Sequence, residues 1–445
     1  MSAPSAVEIA AAVRAGQPAR QEVAAALERI AERDAAIGAF QLVRAEKALA
    51  EADAVDARDD RASLPLAGVP IAIKDNVPVA GEPMRNGSAA TDPTPQHTDH
   101  PVVTRLRDAG AVVVGLTRVP ELCVFGVTDS PTSITRNPWN PDRTPGGSSG
   151  GTAAAVAAGM VPIGHGNDGM GSIRIPSACC GLVGIKAGLG VVPAELGNGS
   201  WFDMSENGPL ATTVADCALM FSVFAGRPEF ASVGEPGRLR IAVSTRRPVP
   251  GVPVAAAWKS AAQDTAAALR EAGHTVRQAS PRYGTHVSNS GIARWMAGVE
   301  LDARLVADRS KLLPRTRRQA AIGRLVLRAG FPRESGRTKW QAVAEAFFAD
   351  HDVLLTPTLA TTPPRSIRWS ERGLVANLWS SSAYAPFAAP WNLAGWPAMA
   401  VPAGVGPVGM PLSVQLVGRP GSEATLLALA GQLEQLRPWQ RVAPS

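Results

Sequence analysis

Cysteine and histidine are scarce in this chain, and neither residue type is spaced as a metal site requires. The 445 residues include 4 cysteines and 6 histidines. No two cysteines have the C-x-x-C spacing of zinc or thiol–disulfide motifs, and the histidines are scattered. The adjacent Cys179 and Cys180 are more typical of small core residues than of a redox pair. We therefore expect no metal and no cofactor.

Long apolar runs are also absent. No stretch of the sequence is long enough to span a bilayer. Near the N-terminus, Glu8 and Arg14 interrupt the apolar run that a signal peptide needs. With so few cysteines, these absences predict a cytoplasmic protein of a reducing compartment, with no membrane partner.

Positive charge is in excess but is not concentrated. The chain has 44 Lys and Arg against 38 Asp and Glu, a net charge of +6. A protein that binds nucleic acid needs its basic residues on one face. Here arginine is scattered, with one modest cluster between residues 315 and 328. We therefore expect no nucleic-acid partner.

The pattern of apolar residues predicts an α/β protein. Roughly the first 60 residues have the periodicity of helices. Two short apolar runs, Val69–Ile73 and Ala111–Gly115, then flank a helical stretch, which indicates a partly parallel sheet. Further strands are expected near residues 239–243, 275–276, 353–355, 398–401 and 412–416, and a closing helix over Glu423–Leu436. Because the sequence has no internal repeat and no long linker, we expect a single domain over residues 1–445.

Two glycine-rich turns that contain serine are the most informative motifs. They are Gly146–Gly151, with Ser148 and Ser149 at its centre, and Gly169–Arg174, which contains Ser172. Glycine permits positive φ and close approach to the backbone. Such turns can direct several N–H groups at one developing negative charge, as an oxyanion hole requires. The turns indicate a serine hydrolase without showing which serine attacks.

One interpretation of the first turn is an α/β-hydrolase. Residues 146–150 satisfy the G-x-S-x-G pattern of the nucleophile elbow, with Ser148 as nucleophile. That fold needs an Asp and a His downstream. None of the later histidines lies in a recognisable catalytic loop, and an HGGG-type oxyanion motif is absent. The pattern alone is weak, and we keep it as an alternative.

A second interpretation uses Lys74, which follows five apolar or small residues and so emerges from a buried strand. A lysine after a strand is usually a surface residue, and in water only about 1 in 2,500 lysines is neutral at pH 7. Burial away from other cations favours the neutral amine that a general base requires. A lysine on an apolar strand that faces serine-bearing turns meets that need.

These motifs, together with further segments, carry a family resemblance. The segments are Gly68–Asp75, Asn137–Trp139, Thr144–Gly151, Asp168–Arg174, Cys180–Lys186, Gly208–Leu210 with Thr213, Val214 and Asp216, Asp352–Thr358, and Pro390–Pro397. With them the chain resembles the amidase signature family of serine hydrolases. The resemblance covers most of residues 60–230 and 350–440, and Ser148 and Ser172 are separated by the family's spacing of 24 residues.

The resemblance implies a fold and a division of the chain. The fold would be a mixed β-sheet core covered by helices on both faces. Within a single domain we expect a helical N-terminal region over 1–60, the core over 61–230, a variable helical region over 286–350, and a C-terminal part over 351–445 that returns to the core.

The resemblance also assigns the catalytic groups. Ser172 would be the nucleophile, Ser148 a bridging serine after a cis peptide bond from Gly147, and Lys74 the base. The chain would then be an amidohydrolase that forms an acyl-enzyme on Ser172. The same chemistry extends to esters and carbamates, as in a urethanase or an aryl acylamidase.

Further residues of the second turn and one of the first would serve the nucleophile. The backbone N–H groups expected to form the oxyanion hole are those of Gly169, Met170 and Gly171, together with that of Ser172 itself. Three residues would support the site from behind: Ser149, Asp168 and Arg174. An alternative for Asp168 and Arg174 is a purely structural ion pair.

Two of the positions that depart from the family pattern keep other functions open. Met170 stands where glycine is usual, so its backbone is either strained or has ordinary φ with the side chain lining the pocket. Ile175 stands where tRNA-dependent amidotransferase A subunits usually carry Gln. Such a subunit, and a catalytically silent binding protein with the same fold, remain alternatives.

Four residues are candidates for the substrate pocket. They are Cys123, Phe125, Trp201 and Trp391. Large apolar groups suit an apolar or aromatic acyl or amine portion, whereas each aromatic side chain could instead belong to the core. We expect a small-molecule amide as the substrate and allow for a homodimer.

Overall fold

A computed structural model of the protein describes residues 4–249 and 251–444. Within these residues, one mixed sheet contains eleven strands. In chain order they are β1 (Phe40–Val43), β2 (Pro70–Lys74), β3 (Val112–Thr117), β4 (Ile163–Asp168), β5 (Val183–Lys186), β6 (Glu206–Ala211), β7 (Arg240–Val243), β8 (Thr275–Gln278), β9 (Val353–Pro357), β10 (Ala398–Val405) and β11 (Pro411–Gly418).

The strands lie in the order β1-β3-β2-β4-β6-β5-β10-β11-β9-β7-β8. At one end of the sheet, β2 is parallel to both β3 and β4. At the other end, β7 is parallel to β8 and β9, and the strands between are antiparallel. The expectation of a partly parallel sheet is confirmed.

Helices surround the sheet. They are α1 (Ala6–Arg14), α2 (Ala19–Ile37), α3 (Ala45–Asp56), α4 (Pro101–Asp108), α5 (Gly150–Ala157), α6 (Arg174–Cys180), α7 (Ser200–Asp203), α8 (Val214–Ala225), α9 (Ala256–Glu271), α10 (Thr285–Ala303), α11 (Pro314–Arg328), α12 (Glu334–Phe348), α13 (Leu374–Tyr384), α14 (Ala389–Ala394) and α15 (Glu423–Leu436). Every residue of β2 to β6 is buried. Because side chains alternate between the two faces of a strand, both faces of the sheet are covered, as expected.

Four strands were not expected from the sequence. The first 60 residues are not wholly helical, because β1 pairs antiparallel with β3 at an edge of the sheet. The strands β4, β5 and β6 also lie within segments for which the apolar pattern gave no strand. The strands β4 and β6 carry glycine, asparagine and acidic residues, which are depleted in strands in general. Their position between buried neighbours overrides this low propensity.

Candidate active site

The candidate catalytic residues meet at the carboxyl ends of two neighbouring strands inside the sheet. Because β2 and β4 are parallel neighbours, their carboxyl ends lie side by side. Lys74 is the last residue of β2, and Asn167 and Asp168 end β4. Ser148 lies just before α5, the helix that leads into β4. Two neighbouring strands and the turn before a helix therefore bring the predicted groups together.

The Lys74 amine is buried and has three oxygen neighbours. Its Nζ lies 2.8 Å from Ser148 Oγ, 2.6 Å from Asn167 Oδ1 and 3.3 Å from the carbonyl oxygen of Asn167. A neutral amine has two N–H donors and one lone pair. It can donate to the two oxygens of Asn167 and accept the proton of Ser148.

Burial also favours the neutral form of this amine. Lys74 is fully buried, and the loss of solvation lowers its pKa from the usual value. The Cys123 thiol and the Asp168 carboxylate act in the opposite direction and raise the pKa of Lys74, but burial outweighs them. The direction of this shift is the one that a general base requires.

Asn167 and Asn76 complete the surroundings of the amine, and the sequence analysis missed both. Asn167 Nδ2 donates to Asn76 Oδ1 at 2.7 Å, and Asn76 Nδ2 donates to Asn167 Oδ1 at 3.2 Å. This pair of hydrogen bonds fixes the orientation of the Asn167 amide toward Lys74. The available signal was position: Asn76 lies two residues after Lys74, and Asn167 directly precedes Asp168.

The two serines of the resemblance lie in adjoining turns. The Gly147–Ser148 peptide bond is cis. The N–H of Ser149 donates to the carbonyl oxygen of Ser172 at 3.3 Å, and Ser148 and Ser172 both line one cavity. The Ser149 hydroxyl donates to the carbonyl oxygen of Asn167 at 3.4 Å. Within residues 4–249 and 251–444, no hydrogen bond joins the Ser148 and Ser172 hydroxyl groups.

Asp168 shapes the turn that carries Ser172. Its carboxylate accepts the N–H groups of Gly171 at 2.5 Å, Ile173 at 3.3 Å and Arg174 at 3.4 Å. The Arg174 guanidinium pairs with the same carboxylate through Nε at 2.9 Å and Nη2 at 3.0 Å. Burial alone would raise the pKa of Asp168, but Arg174 holds it well below its usual range. The carboxylate is therefore ionised.

These contacts correct one expectation about the oxyanion hole. The Gly171 N–H is directed at Asp168, so it is not free to bind a substrate oxygen. The N–H groups of Gly169, Met170 and Ser172 donate to no group among the described residues. The donors that remain for an oxyanion are therefore these three.

The glycine pattern of the turn has two separate causes. Gly171 has φ of +120°, a conformation that side chains disfavour. At Gly169 the limit is space, because a Cβ atom would lie 2.5 Å from Ser205 Oγ. Met170 is not among the described residues with positive φ, and its side chain lines a cavity. Met170 therefore lies at a position whose backbone does not require glycine.

Residues of the C-terminal part of the chain form hydrogen bonds to the residues that stabilise this turn. Asn392 Nδ2 donates to Asp168 Oδ1 at 2.8 Å, and Arg174 Nη2 donates to Asn392 Oδ1 at 2.5 Å. Arg174 Nη1 donates to Gln415 Oε1 at 2.6 Å and to the carbonyl oxygen of Ala388 at 3.0 Å. Arg174 thus connects the serine turn to α14 and β11.

Two cavities meet at Ser172. The apolar cavity is lined by residues that include Phe125, Met170, Ile175, Val249 and Trp295, and none of its described lining residues is charged. The polar cavity is lined by residues that include Asn76, Asn86, Ser148, Asn167, Ser205 and Asp302. Cys123, Ser172 and Trp201 line both.

The predicted pocket residues separate into two groups. Cys123, Phe125 and Trp201 line the cavities at Ser172. Trp391 lines neither of the two, because it is fully buried in an aromatic cluster with Trp340, Phe348 and Trp396. The interpretation of Trp391 as a substrate contact is corrected: it is a core residue.

The histidines do not form a catalytic arrangement with a serine. His165 is buried, Asn207 Oδ1 lies 2.9 Å from its Nε2, and burial lowers its pKa to about 3. In the described part of the chain, no histidine hydrogen-bonds to Ser148 or Ser172. The α/β-hydrolase alternative therefore has no geometric support.

In residues 4–249 and 251–444, no group of three or more His, Cys, Asp or Glu side chains is placed to hold a metal ion. None of the helices found there has the length and apolar character needed to traverse a bilayer.

A comparison with models of protein families identifies the family to which the chain belongs. The family model described as Amidase matches residues 21–427. The chain belongs to the amidase family. The resemblance inferred from the sequence is confirmed, and so is the mixed α/β fold.

Individual amidases cover nearly the whole chain. The putative amidase AmiB2 of Mycobacterium tuberculosis is 43% identical over 436 residues, which is 94% of this chain and 93% of that protein. The acylamidase of Rhodococcus erythropolis is 32% identical over 477 residues, 99% of this chain and 97% of that protein. The solved structure of 6-aminohexanoate cyclic dimer hydrolase matches with a TM-score of 0.89 and 28% identity, covering 99% of this chain and 98% of that one. These amidases support amide hydrolysis as the general reaction.

Proposed function

We propose that this chain hydrolyses carboxylic amides through an acyl-enzyme on Ser172, with Ser148 and Lys74 as the proton relay. The observation that carries the proposal is the buried Lys74 amine, 2.8 Å from Ser148 Oγ. Burial lowers the pKa of this amine, and no cation lies among its three hydrogen-bond partners.

The relay balances protons in both halves of the reaction. Lys74 accepts the proton of Ser148 while Ser148 accepts that of Ser172, and Ser172 Oγ attacks the amide carbonyl carbon. When the C–N bond breaks, Ser148 donates a proton to the leaving nitrogen and recovers one from Lys74. A water molecule then attacks the acyl-enzyme with the same relay, and Ser172 regains its proton. Esters and carbamates can follow the same course.

Backbone N–H groups stabilise the negative charge of the tetrahedral intermediate. The donors with no acceptor among the described residues are those of Gly169, Met170 and Ser172. Asp168 fixes their direction through its bonds to the next N–H groups along the turn. A donor to an oxyanion typically contributes about 10²–10³-fold to kcat.

The apolar cavity receives the acyl portion of the substrate in this proposal. Ser148 must reach the leaving nitrogen, and it lines the polar cavity. The acyl group then extends to the other side of Ser172, against residues such as Phe125 and Trp295. Because no charged side chain is found among its described lining residues, this cavity suits an uncharged apolar acyl group.

The proposal is tested by hydrolysis of anilides, primary amides, lactams, carbamates and esters. We expect activity on acyl amides, and a loss of about 10³-fold or more in kcat for Ser172→Ala. Ser232, an exposed serine, supplies the matched control, and Ser232→Ala should retain full activity. Equal activity of the Ser172 and Ser232 variants would refute the assigned nucleophile.

Other outcomes of the same panel favour the alternatives. An α/β-hydrolase would lose activity on substitution of a histidine rather than of Ser172. A tRNA-dependent amidotransferase A subunit would require partner subunits for activity, although Ile175 lies where such subunits usually carry Gln. A silent binding protein would cleave no member of the panel and would not be labelled by a fluorophosphonate.

A further inference from the structure

The polar cavity contains one carboxylate and no cationic side chain among its described lining residues. The carboxylate belongs to Asp302 on α10, and the other polar groups that line the cavity are amides, hydroxyls and a thiol. Asp302 is 8% exposed. A buried carboxylate is ordinarily paired with a cation. Within residues 4–249 and 251–444, Asp302 forms no ion pair.

The contacts of Asp302 leave part of its hydrogen-bonding capacity unused. Its Oδ2 accepts the Trp201 Nε1–H at 2.6 Å, and its Oδ1 accepts the Asn198 N–H at 3.2 Å. Both donors are uncharged. A carboxylate offers about four acceptor positions, so about two remain. The carboxylate lies between Trp201 and Gly197, and both of these residues line the polar cavity.

This cavity is also the side on which the amine portion of a substrate must lie. The proposed relay delivers a proton to the leaving nitrogen from Ser148, and Ser148 lines the polar cavity together with Ser172 and Asp302. The apolar cavity has no charged lining residue in the described part of the chain. The two sides of Ser172 therefore differ in charge, and the negative side is the one that faces the leaving group.

We propose that Asp302 selects amides whose amine portion carries a second, positively charged amino group, as in monoacylated diamines. This inference rests on the proposed function. The ammonium group would supply the cation that Asp302 lacks, and its N–H groups would occupy the unused acceptor positions. Burial raises the pKa of Asp302 to about 6, although the bonds from Trp201 and Asn198 lower it, so the group remains mostly ionised near neutral pH.

The test compares substrates that differ only at the end of the amine portion. The hexanoyl amides of 1,4-diaminobutane, pentylamine and 4-aminobutanol present an ammonium, a methyl and a hydroxyl group at the same distance. Diamines of two and six carbons vary that distance. The measurement is kcat/KM for each substrate with the unsubstituted protein, with Asp302→Asn, and with Asp308→Asn, in which a partly exposed carboxylate of the following loop is removed.

We expect the unsubstituted protein to prefer the best ammonium substrate over its alkyl counterpart by about 10-fold or more, the effect of a hydrogen bond to a charged group. Asp302→Asn should bring this ratio close to one, whereas Asp308→Asn should leave it unchanged. An independent variant, Leu305→Lys, adds a cation at an exposed position that lines the same cavity and should lower the ratio. This variant keeps the test valid if Asp302→Asn does not fold.

Several results would overturn the inference. The first is a ratio of ammonium to alkyl kcat/KM that is the same in the unsubstituted protein, in Asp302→Asn and in Leu305→Lys. The second is a preference of the unsubstituted protein for the alkyl amide. The third is a kcat/KM for the hydroxyl substrate that equals that for the ammonium substrate. Failure of the proposed function gives a different result, because then no amide, anilide included, would be cleaved. Cleavage of all three substrates at similar rates would refute only the selection by Asp302 and would leave the proposed function standing.

Discussion

Replacing Asp302 by Asn should change the pH dependence of stability in a way that the structure predicts. Burial raises the pKa of this carboxyl group from 3.8 to about 6. A carboxyl group with a higher pKa in the folded state binds its proton more tightly there. The unsubstituted protein therefore loses the stability that protonated Asp302 contributes as the pH rises from 3.8 to about 6, and the loss is complete above that range. A pKa that is higher by about 2 in the folded state corresponds to about 3 kcal/mol of unfolding free energy.

The assay is thermal unfolding of both proteins across this pH range. With about 2.1 cal/mol/K of unfolding entropy per residue, 445 residues convert about 3 kcal/mol into roughly 3 °C of Tm. The Tm of Asp302→Asn, relative to that of the unsubstituted protein, should therefore be about 3 °C higher near pH 8 than near pH 4. Other titrating groups are present in both proteins and cancel in the comparison. A Tm difference that does not vary with pH would refute the reasoning.

Three further substitutions probe the serine turn and its base. Gly169→Ala forces a methyl group into occupied space, so activity on any amide substrate should fall while far-UV circular dichroism stays unchanged; normal activity would contradict the packing argument. Asn167→Asp places a carboxylate beside the Lys74 amine and favours its charged form. The pH–rate profile should therefore move to higher pH, and an unmoved profile would exclude Lys74 as the base. Arg174→Met leaves the buried Asp168 carboxylate unpaired and should cost about 3–5 kcal/mol in chemical denaturation; a cost below about 1 kcal/mol would show that the pair is not structural.

The strand β4 illustrates why the sequence revealed only part of the fold. Its sequence Ile-Gly-His-Gly-Asn-Asp has little strand propensity. The glycines are needed because a Cβ atom at Gly164 would lie 2.4 Å from Thr152, and one at Gly166 would lie 2.6 Å from Leu210 and 2.9 Å from Ser149. These contacts come from the turn and helix that precede β4 and from the neighbouring strand β6. The strand is thus specified by packing against residues outside it in the sequence, and the local pattern of apolar residues does not reveal such packing.

The proximity of candidate site residues was predictable where charged or hydroxyl side chains lie in recognisable segments. Lys74 and Ser148 are far apart in the sequence, yet the resemblance linked them, and their side chains lie 2.8 Å apart. Asn167 was missed because a neutral amide gives no titratable or nucleophilic signal. Trp391 was misassigned because an aromatic side chain suits a pocket and a core equally well until its neighbours are known.

The bonds from Arg174 to Asn392 and Gln415 have a consequence for biosynthesis. The serine turn is synthesised early, but its geometry is fixed by side chains that leave the ribosome more than 200 residues later. The strand β5 likewise gains its partner β10 only then. A nascent chain that contains both serines but not yet Asn392 and Gln415 would therefore lack these contacts to the serine turn. If the proposed mechanism holds, amide hydrolysis should arise only after Gln415 has been synthesised.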